Sequence, residues 1–505
     1  MARVTCHDAA VLPTYHDLDP STPVLVGVGE SSDPIDAPDY AALSEAALAA
    51  EALRAAAADT GVDPATVLAA LDVAAMTRSF DAMGVGSPFG TPASMPWAAL
   101  RRVGAAPGRV VYETLGGQTP QSLLTEICRD VAEGRHEVGV VLGADVTSTT
   151  RHLTRGAGRD LPRPDFSDDA DGPVEDRGRG THLVNTRHYV HHGLTNAPVQ
   201  YGVLENARRH RLGRTREEHG RAMAALLAPM SRVAATNPHS AAPLARTAEE
   251  IADEHPDNRR VADPYLRLMV ARDQVNQGAA AVVMSVAAAR RLGVDPARWV
   301  FLAGHASLVE QPLLERADLG GAPASVAAVQ HALDVAGVGV DDLAHLDLYS
   351  CFPVAVSVVA DGLCLDADDP RGLTVTGGLP YFGGAGSNYS LHAVAAVARR
   401  LRERPEDHAL VGANGGVMSK YAAGVWTGRP TPWRPDDSAA LQHALDAAPR
   451  AAWTEVAEGS ATVESWSVEH RRDGGRSAVL VCRDLAGRRF LATACAGDEA
   501  LLLRL

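Results

Sequence analysis

The segment from Arg272 to Met284 constrains the fold more than any other part of the sequence. It starts with charged and amide side chains and, after Gly278, continues with alanine, valine and methionine only. A short, uninterrupted apolar run is typical of a strand that is buried on both faces. The charged segment Ala288–Leu292 that follows predicts the start of a helix. We therefore expect a sheet that is covered by helices.

Strand and helix patterns alternate on both sides of this segment. Before it, we predict strands at 24–28, 109–113 and 137–143 and helices at 40–59 and 118–133. After it, we predict strands at 299–303, 345–349 and 408–411 and helices at 324–336, 353–362 and 388–402. This alternation predicts an α/β fold with parallel or mixed sheets. Because the order of elements repeats, we expect two similar βαβ halves.

The alternation is interrupted from residue 147 to residue 264. Residues 155–179 are rich in glycine, aspartate and arginine, which is typical of a loop or a mobile lid. Tyr201–Ala228 is predicted as a helix that ends at Pro229. We interpret residues 147–264 as an inserted loop or lid domain within the first half.

The end of the chain has a different character. Prolines between 427 and 435 mark a linker. The alternating segments beyond it, at 461–470, 477–484 and 489–493, are separated by turns and predict a small antiparallel β-barrel. The predicted domains are thus a first half at 1–285, a second half at 286–430 and a barrel at 431–505.

Composition excludes several classes of protein. The formal net charge of -15 argues against a general nucleic-acid binder, which would present a basic face. The six cysteines form no CxxC pair, so zinc-finger spacing is absent and reduced thiols of a cytoplasmic protein are expected. The first residues contain no apolar signal core, and no apolar run is long enough for a membrane helix.

Several motifs resemble those of the thiolases, which make or cleave carbon–carbon bonds in CoA thioesters. The run Asn276–Ala281 resembles the thiolase segment Asn-Asp-Gly-Ala-Ala-Ala. Residues 20–430 are most similar to actinobacterial thiolase-like proteins with an extra C-terminal domain, which are related to the sterol-carrier-type thiolases. The resemblance implies a duplicated five-layered thiolase fold. The predicted barrel resembles the OB-fold domains that accompany some thiolase-like proteins.

The resemblance also implies that the thiolase catalytic side chains are missing. The position of the nucleophilic cysteine falls on Thr114 or Leu115, that of the activating histidine on Gly384, and that of the acid/base cysteine on Ala413. Covalent acyl transfer needs a nucleophile. We therefore expect neither ordinary thiolysis nor Claisen condensation.

Tyr349 is the leading catalytic candidate. It stands where sterol-carrier-type thiolases begin a His-Asp-Cys-Phe motif, whose first residue helps to polarise the thioester oxygen. A tyrosine hydroxyl can donate to a developing oxyanion, or act as an acid or base if its pKa is lowered. Its ring could instead close a strand end in the core, and Cys351 in the same motif is interpreted as structural. Asn414 and His392 are further candidates, although a buried, structural histidine is the alternative for His392.

Other residues are candidates for contacts with coenzyme A. The resemblance suggests a glycine-rich ligand loop and basic residues of the insertion that contact phosphates or are ordinary solvated charges. A lysine near the last motif is a further candidate, which contacts a phosphate or is merely solvated. In that order these are Gly377, Gly378, Gly383 and Gly384; Arg208 and Arg209; and Lys420. No metal site is predicted, and His188, His191 and His192 are interpreted as a surface cluster.

Two functional hypotheses follow from the resemblance. The family name implied is acyl-CoA acyltransferase of the acetyl-CoA acetyltransferase type, in lipid metabolism. The first hypothesis is an enzyme that acts on an acyl-CoA without a covalent intermediate, such as a retro-aldol lyase that uses Tyr349. The second is a noncatalytic CoA- or lipid-binding protein. Neither hypothesis includes a covalently bound cofactor, a nucleic acid or a membrane. Thiolase cores pair through the strand at Arg109–Glu113, so a homodimer is possible, as is a monomer.

Overall fold

The computed structural model describes residues 14–80, 87–156, 165–180, 186–495 and 497–505. Its strands are β1 (Pro23–Ser32), β2 (Val73–Met76), β3 (Arg109–Tyr112), β4 (Val138–Asp145), β5 (Glu175–Asp176), β6 (Arg260–Ala262), β7 (Tyr265–Leu266), β8 (Gln277–Ser285), β9 (Phe301–Val309), β10 (Leu343–Asp347), β11 (His408–Gly415), β12 (Lys420–Thr427), β13 (Thr462–His470), β14 (Arg476–Arg483) and β15 (Arg489–Thr493). Its helices are α1 (Glu45–Asp59), α2 (Pro64–Ala69), α3 (Met95–Arg101), α4 (Thr119–Ala132), α5 (Thr147–Thr154), α6 (Arg187–His191), α7 (Ala197–Arg211), α8 (Arg216–Ala234), α9 (Ala248–Ala252), α10 (Val286–Leu292), α11 (Pro323–Ala336), α12 (Pro353–Gly362), α13 (Tyr389–Glu403), α14 (Ser438–Asp446) and α15 (Glu499–Arg504).

The first half contains a six-stranded mixed sheet in the order β1-β8-β4-β2-β3-β5. The predicted buried strand is β8, which pairs antiparallel with β1 on one side and with β4 on the other. All nine of its residues are buried. The sequence prediction for this segment is confirmed, because both of its edges and both of its faces are covered.

The second half contains a four-stranded mixed sheet in the order β10-β11-β12-β9. Helices α4 and α13 contact strands of both sheets and therefore lie between them. Helix α1 covers the other face of the first sheet, and α11 covers the other face of the second. The result is a layered α/β arrangement of three helical layers and two mixed sheets, as predicted for the two halves.

The insertion is more structured than its composition suggests. The predicted helix Tyr201–Ala228 is wrong, because two helices, α7 and α8, occupy this region. Gly213 ends the first with a φ of 64°, and the side chain of Thr215 caps the second in a capping box with Glu218. Pro229 lies inside α8 rather than at its end.

The outer edge of the first sheet is covered by the chain itself. Strand β5 pairs in parallel with β3, with Val111 opposite Glu175 and Tyr112 opposite Asp176. Arg177, next to this strand, forms ion pairs with Glu113 and Glu126. The Arg109–Glu113 strand therefore cannot pair with a second copy of the chain at this edge, because β5 already occupies the edge.

The predicted C-terminal barrel is wrong. In the described part of the chain, β13, β14 and β15 form no closed barrel but extend an open antiparallel sheet in the order β15-β14-β13-β6-β7. The hairpin of β6 and β7 belongs to the insertion and joins β13 opposite Glu469. Strand β6 of the insertion therefore pairs with the edge of β13, which in a barrel would pair with another strand of the C-terminal domain. Among the described helices, none combines the length and apolar character needed to cross a membrane.

Candidate functional site

A cavity beside the second sheet has a volume of about 1350 Å³. Its buried lining includes five residues that we call the floor: Gly117, Tyr201, Tyr349, Cys351 and Asn414. Gly117 precedes α4, Tyr349 and Cys351 follow β10, and Asn414 lies near the end of β11. The ends of strands and the start of a helix therefore meet at one point, which is a usual place for a ligand in open α/β sheets.

Tyr349 lies with its hydroxyl against the backbone of Gly117. A Cβ atom at residue 117 would lie 2.1 Å from Tyr349 Oη and 2.6 Å from the carbonyl oxygen of Asn414, so only glycine leaves room for the hydroxyl. Burial, together with Cys351, raises the pKa of Tyr349 well above its usual value. The hydroxyl therefore stays protonated, so it can donate a hydrogen bond to a ligand but cannot act as a tyrosinate base.

Asn414, Tyr201 and Cys351 are held together beside this tyrosine. Asn414 Nδ2 donates to Tyr201 Oη at 2.8 Å and to Cys351 Sγ at 3.5 Å. Asn414 Oδ1 is buried and accepts no hydrogen bond from any described residue. Burial raises the pKa of the Cys351 thiol to about 11, so it remains neutral and is a poor nucleophile.

Lys420 is the one amine in the described cavity lining. Its Nζ donates to the carbonyl oxygen of Gly180 at 3.3 Å. Burial lowers the pKa of Lys420, and the charge of Glu113 partly opposes this effect. The neutral amine is therefore more accessible here than in water.

The charged side chains of the lining are mostly cationic. Seven arginines, which we call the rim arginines, come from the insertion, the segment before β8 and the turn after β13. They are Arg151, Arg155, Arg246, Arg259, Arg267, Arg272 and Arg472. All are exposed or half-buried, and only two aspartates, Asp257 and Asp273, are found in the same lining. The rim is therefore suited to an anionic ligand, although the chain as a whole is acidic.

A crystal structure of a monomeric SCP2-thiolase-like protein type 1 from Mycobacterium smegmatis is 44% identical to this chain. The match covers 96% of this chain and 94% of that protein, with a TM-score of 0.82. The chain belongs to the SCP2-thiolase-like protein type 1 family. The covered edge of β3 is consistent with the monomeric state of this relative.

More distant structures support only the fold. An Ltp2–ChsH2(DUF35) aldolase is 20% identical, with a TM-score of 0.56, and covers 81% of this chain and 98% of its own. The acetyl-CoA acetyltransferase of Syntrophomonas wolfei is 17% identical, with a TM-score of 0.54, and covers 80% and 98%. Residues 440–505 match the thiolase-like protein type 1 additional C-terminal domain. No curated protein sequence matches the chain.

The positions that the sequence resemblance assigns to the thiolase catalytic residues are divided between the cavity lining and other parts of the fold. Leu115 and Gly384 line the cavity. Thr114 packs against Gly180, and Ala413 is buried in β11 outside the lining. Within the described lining, the one cysteine is Cys351 and the one histidine is the exposed His255.

The structure brings together only some of the predicted site residues. Tyr349, Asn414, Gly384 and Lys420 line the cavity. His392 does not, because its Nδ1 donates to Glu30 Oε1 at 2.7 Å inside the core. That contact supports the structural alternative for this histidine.

The other predicted ligand contacts also lie elsewhere. Added Cβ atoms at Gly377, Gly378 and Gly383 would meet Ala234, Ser350 and Gln277, so these glycines allow close packing within the protein rather than contact with the cavity. Arg208 pairs with Asp361, and Arg209 donates to Asn206 and to the carbonyl of Arg214. None of these five residues belongs to the described lining.

Sequence reasoning missed the rim arginines and Tyr201. The rim arginines are scattered from residue 151 to residue 472, so no local motif announces them. Their one signal is the abundance of arginine in the insertion and just before β8. Tyr201 lies on α7 and stacks on Phe352 with ring centroids 4.2 Å apart, which only the folded chain reveals.

Proposed function

We propose that this protein binds an acyl-CoA thioester noncovalently in the cavity and carries out neither thiolysis nor Claisen condensation. The observation that carries the proposal is the composition of the lining. It combines an uncharged floor, which contains a protonated tyrosine hydroxyl, with seven rim arginines. An acyl-CoA needs both, because it carries an uncharged acyl thioester and anionic phosphates.

The size and chemistry of the cavity fit this ligand. About 1350 Å³ exceeds the roughly 300–1,000 Å³ of most small-molecule sites. Guanidinium groups form strong, bidentate hydrogen bonds with phosphate oxygens. Tyr349 Oη makes no hydrogen bond within the described residues, so it is available to a thioester oxygen. Covalent transfer is not proposed, since the Cys351 thiol is neutral and its side-chain partners, Tyr201 and Asn414, are not bases.

Calorimetry with CoA and with acyl-CoAs of increasing chain length tests the binding. We expect saturable binding that strengthens with the acyl group and weakens with added salt. Thiolysis of acetoacetyl-CoA is expected to be negligible. Absence of binding at millimolar ligand would contradict the proposal, and thiolysis that depends on a cysteine would contradict its noncovalent character.

A second candidate function is noncovalent carbon–carbon cleavage of a 3-hydroxyacyl-CoA. Lys420, with its lowered pKa, and the protonated Tyr349 line the same cavity and favour it. The neutral amine would take the proton of the C3 hydroxyl, and the C2–C3 bond would break as a carbonyl forms at C3. The electron pair would pass to the thioester oxygen, where Tyr349 would stabilise the enolate. Protonation at C2 would then give the shortened acyl-CoA.

Release of an aldehyde or ketone from a panel of 3-hydroxyacyl-CoAs tests this candidate. The substitution Tyr349→Phe should lower turnover by about 10²–10³-fold, as expected for a lost oxyanion donor. Tyr421→Phe is the matched control, because Tyr421 is also buried but lies outside the cavity lining. Cleavage that survives Tyr349→Phe unchanged would remove the catalytic assignment, and absence of cleavage with intact binding would leave a binding protein.

A further inference from the structure

We propose that the C-terminal domain is part of the ligand site, because its Arg489 positions the floor of the cavity through Arg316 and the turn Gly416–Met418. The domain also supplies the rim arginine Arg472. The domain therefore contributes to the rim and holds the floor in place, although its strands lie outside the described lining.

Arg489 is the first link. Its side chain is fully buried, and Glu464 of β13 holds it through Nε at 2.8 Å and Nη2 at 2.6 Å. The same guanidinium reaches out of the domain and donates to the carbonyl oxygens of Leu314, Arg316 and Ala317. A planar group with five donors can bind several oxygens at once. Arg489 therefore fixes the backbone on which Arg316 stands.

Arg316 is the second link. Its side chain is 2% exposed. Its Nη2 donates to the carbonyl oxygens of Val417 at 2.9 Å and Met418 at 3.1 Å, while Nε donates to Gln311 at 3.0 Å. These carbonyls belong to the turn that joins β11 to β12. Because no carboxylate accepts a hydrogen bond from this buried cation in the described structure, the turn carbonyls supply much of its solvation.

The turn is the third link, and it meets the floor. Tyr201 Oη donates to Gly416 O at 2.8 Å and accepts from Met418 N at 3.3 Å and from Asn414 Nδ2 at 2.8 Å. Met418 has a φ of 49°, a left-handed backbone conformation that is uncommon for residues other than glycine. Such a backbone persists only where the surroundings hold it. Arg316 on one side and Tyr201 on the other provide these contacts.

Hydrogen exchange of the full-length protein without ligand tests the inference. In Arg489→Gln, exchange at 415–419 should become about fivefold faster, as expected for weakening of one hydrogen-bonded contact. Exchange at Asp263, whose amide donates to Val468, should stay protected and show that the domain remains docked. Arg488→Gln is the control, because Arg488 pairs with Asp484 at the surface and should leave residues 415–419 unchanged.

If Arg489→Gln does not fold, the variant Glu464→Gln tests the same inference. It keeps Arg489 but removes the carboxylate that orients it. The same faster exchange at 415–419, of smaller size, is then expected. Faster exchange at 313–317 without any change at 415–419, in either variant, would overturn the inference and reduce Arg489 to an anchor of its own domain.

A second readout rests on the proposed function. Arg489→Gln should lower the affinity for a long-chain acyl-CoA about fivefold. The affinity for CoA should stay unchanged, because CoA has no acyl group and is expected to contact the rim but not the floor. An equal loss for both ligands would speak against an effect on the floor. If the unmodified protein binds neither ligand, the proposed function fails, and the exchange experiment alone judges the role of Arg489.

Discussion

Buried charges and rim charges of this chain have different roles. Buried charged groups pair across elements that are distant in sequence, as Glu30 of β1 does with His392 of α13. The buried Arg208 of α7 likewise pairs with Asp361 of α12, whose side chain is exposed. The rim arginines instead lie exposed or half-buried around one cavity. The first group holds the layers together, and the second provides a field for an anionic ligand.

This difference corrects two assignments that rest on residue type. His392 and Arg208 have side chains that suit catalysis or phosphate binding, but each is already paired inside the protein. Removal of one partner of a buried pair leaves the other charge unsolvated and costs stability. The ion pairs of the rim arginines, such as Arg151 with Asp273 and Arg246 with Glu250, are exposed or half-buried, so exchanging such a partner for a ligand leaves no charge buried.

Acid should separate the two groups most clearly. Burial opposes ionisation of Glu30, but the hydrogen bond and charge of His392, with the charge of Arg399, lower the pKa of Glu30 to about 2 from 4.5. A depressed carboxyl pKa contributes stability above pH 4.5 that is lost as the pH falls towards 2. The loss is on the order of 3 kcal/mol if the unfolded chain has the ordinary value.

Urea unfolding from pH 7 to pH 2.5 measures this effect. Glu30→Gln should be less stable at neutral pH and should lose much of the decline between pH 4.5 and 2.5. Glu217→Gln is the control, because its ion pair with Arg221 is exposed and contributes little. A decline that is the same in Glu30→Gln as in the unmodified protein would show that the buried pair does not set the acid sensitivity.

The floor offers a test without any charge. In Gly117→Ala, the new methyl group would meet Tyr349 Oη and the Asn414 carbonyl oxygen, so one of them must move. Overpacking of this kind costs about 2 kcal/mol. Thermal unfolding should show the loss, and acyl-CoA affinity should fall because Tyr349 is displaced.

Gly220→Ala is the matched control for this floor substitution. Gly220 lies in α8, and an added Cβ meets nothing within 4 Å. Alanine is favoured over glycine inside a helix by about 1 kcal/mol, so this variant should be slightly more stable. Equal stability of Gly117→Ala and the unmodified protein would mean that the position of Tyr349 does not require a glycine at residue 117.

The repeated core was predictable because its signals are local. The buried run of β8, the proline at the start of α12 and the alternation in β13 and β14 each depend on neighbouring residues. The closure of the C-terminal sheet was not predictable in this way. Whether β13 closes a barrel or joins β6 is decided by a contact between residues 262 and 469, which no local pattern encodes.

The candidate site was predictable to the same extent. Tyr349, Asn414 and Gly384 belong to motifs that could be aligned with a family, and they line the cavity. The rim arginines and the path through Arg316 come from separate parts of the chain. Their convergence is a property of the fold, whereas the resemblance assigned the phosphate contact to Arg208 and Arg209 of α7.

The smallest expected effect concerns one rim arginine and its neighbour. Arg471 and Arg472 are adjacent and both exposed, but only Arg472 lines the cavity. Arg472→Gln should weaken CoA binding about threefold at low salt, since a single exposed charge contributes about 0.2–1 kcal/mol. The difference should shrink at high salt, because exposed charges are screened. Thermal unfolding should not change.

Arg471→Gln removes the same charge from the same turn and should leave CoA binding unchanged. Calorimetry at two salt concentrations compares the two variants. Equal weakening by both would show that the ligand senses only the total charge of the chain and not the position of the rim. If Arg472→Gln alone weakens CoA binding and leaves stability unaltered, the rim charges act on the ligand and not on the fold. Loss of a buried charge is expected to lower stability instead.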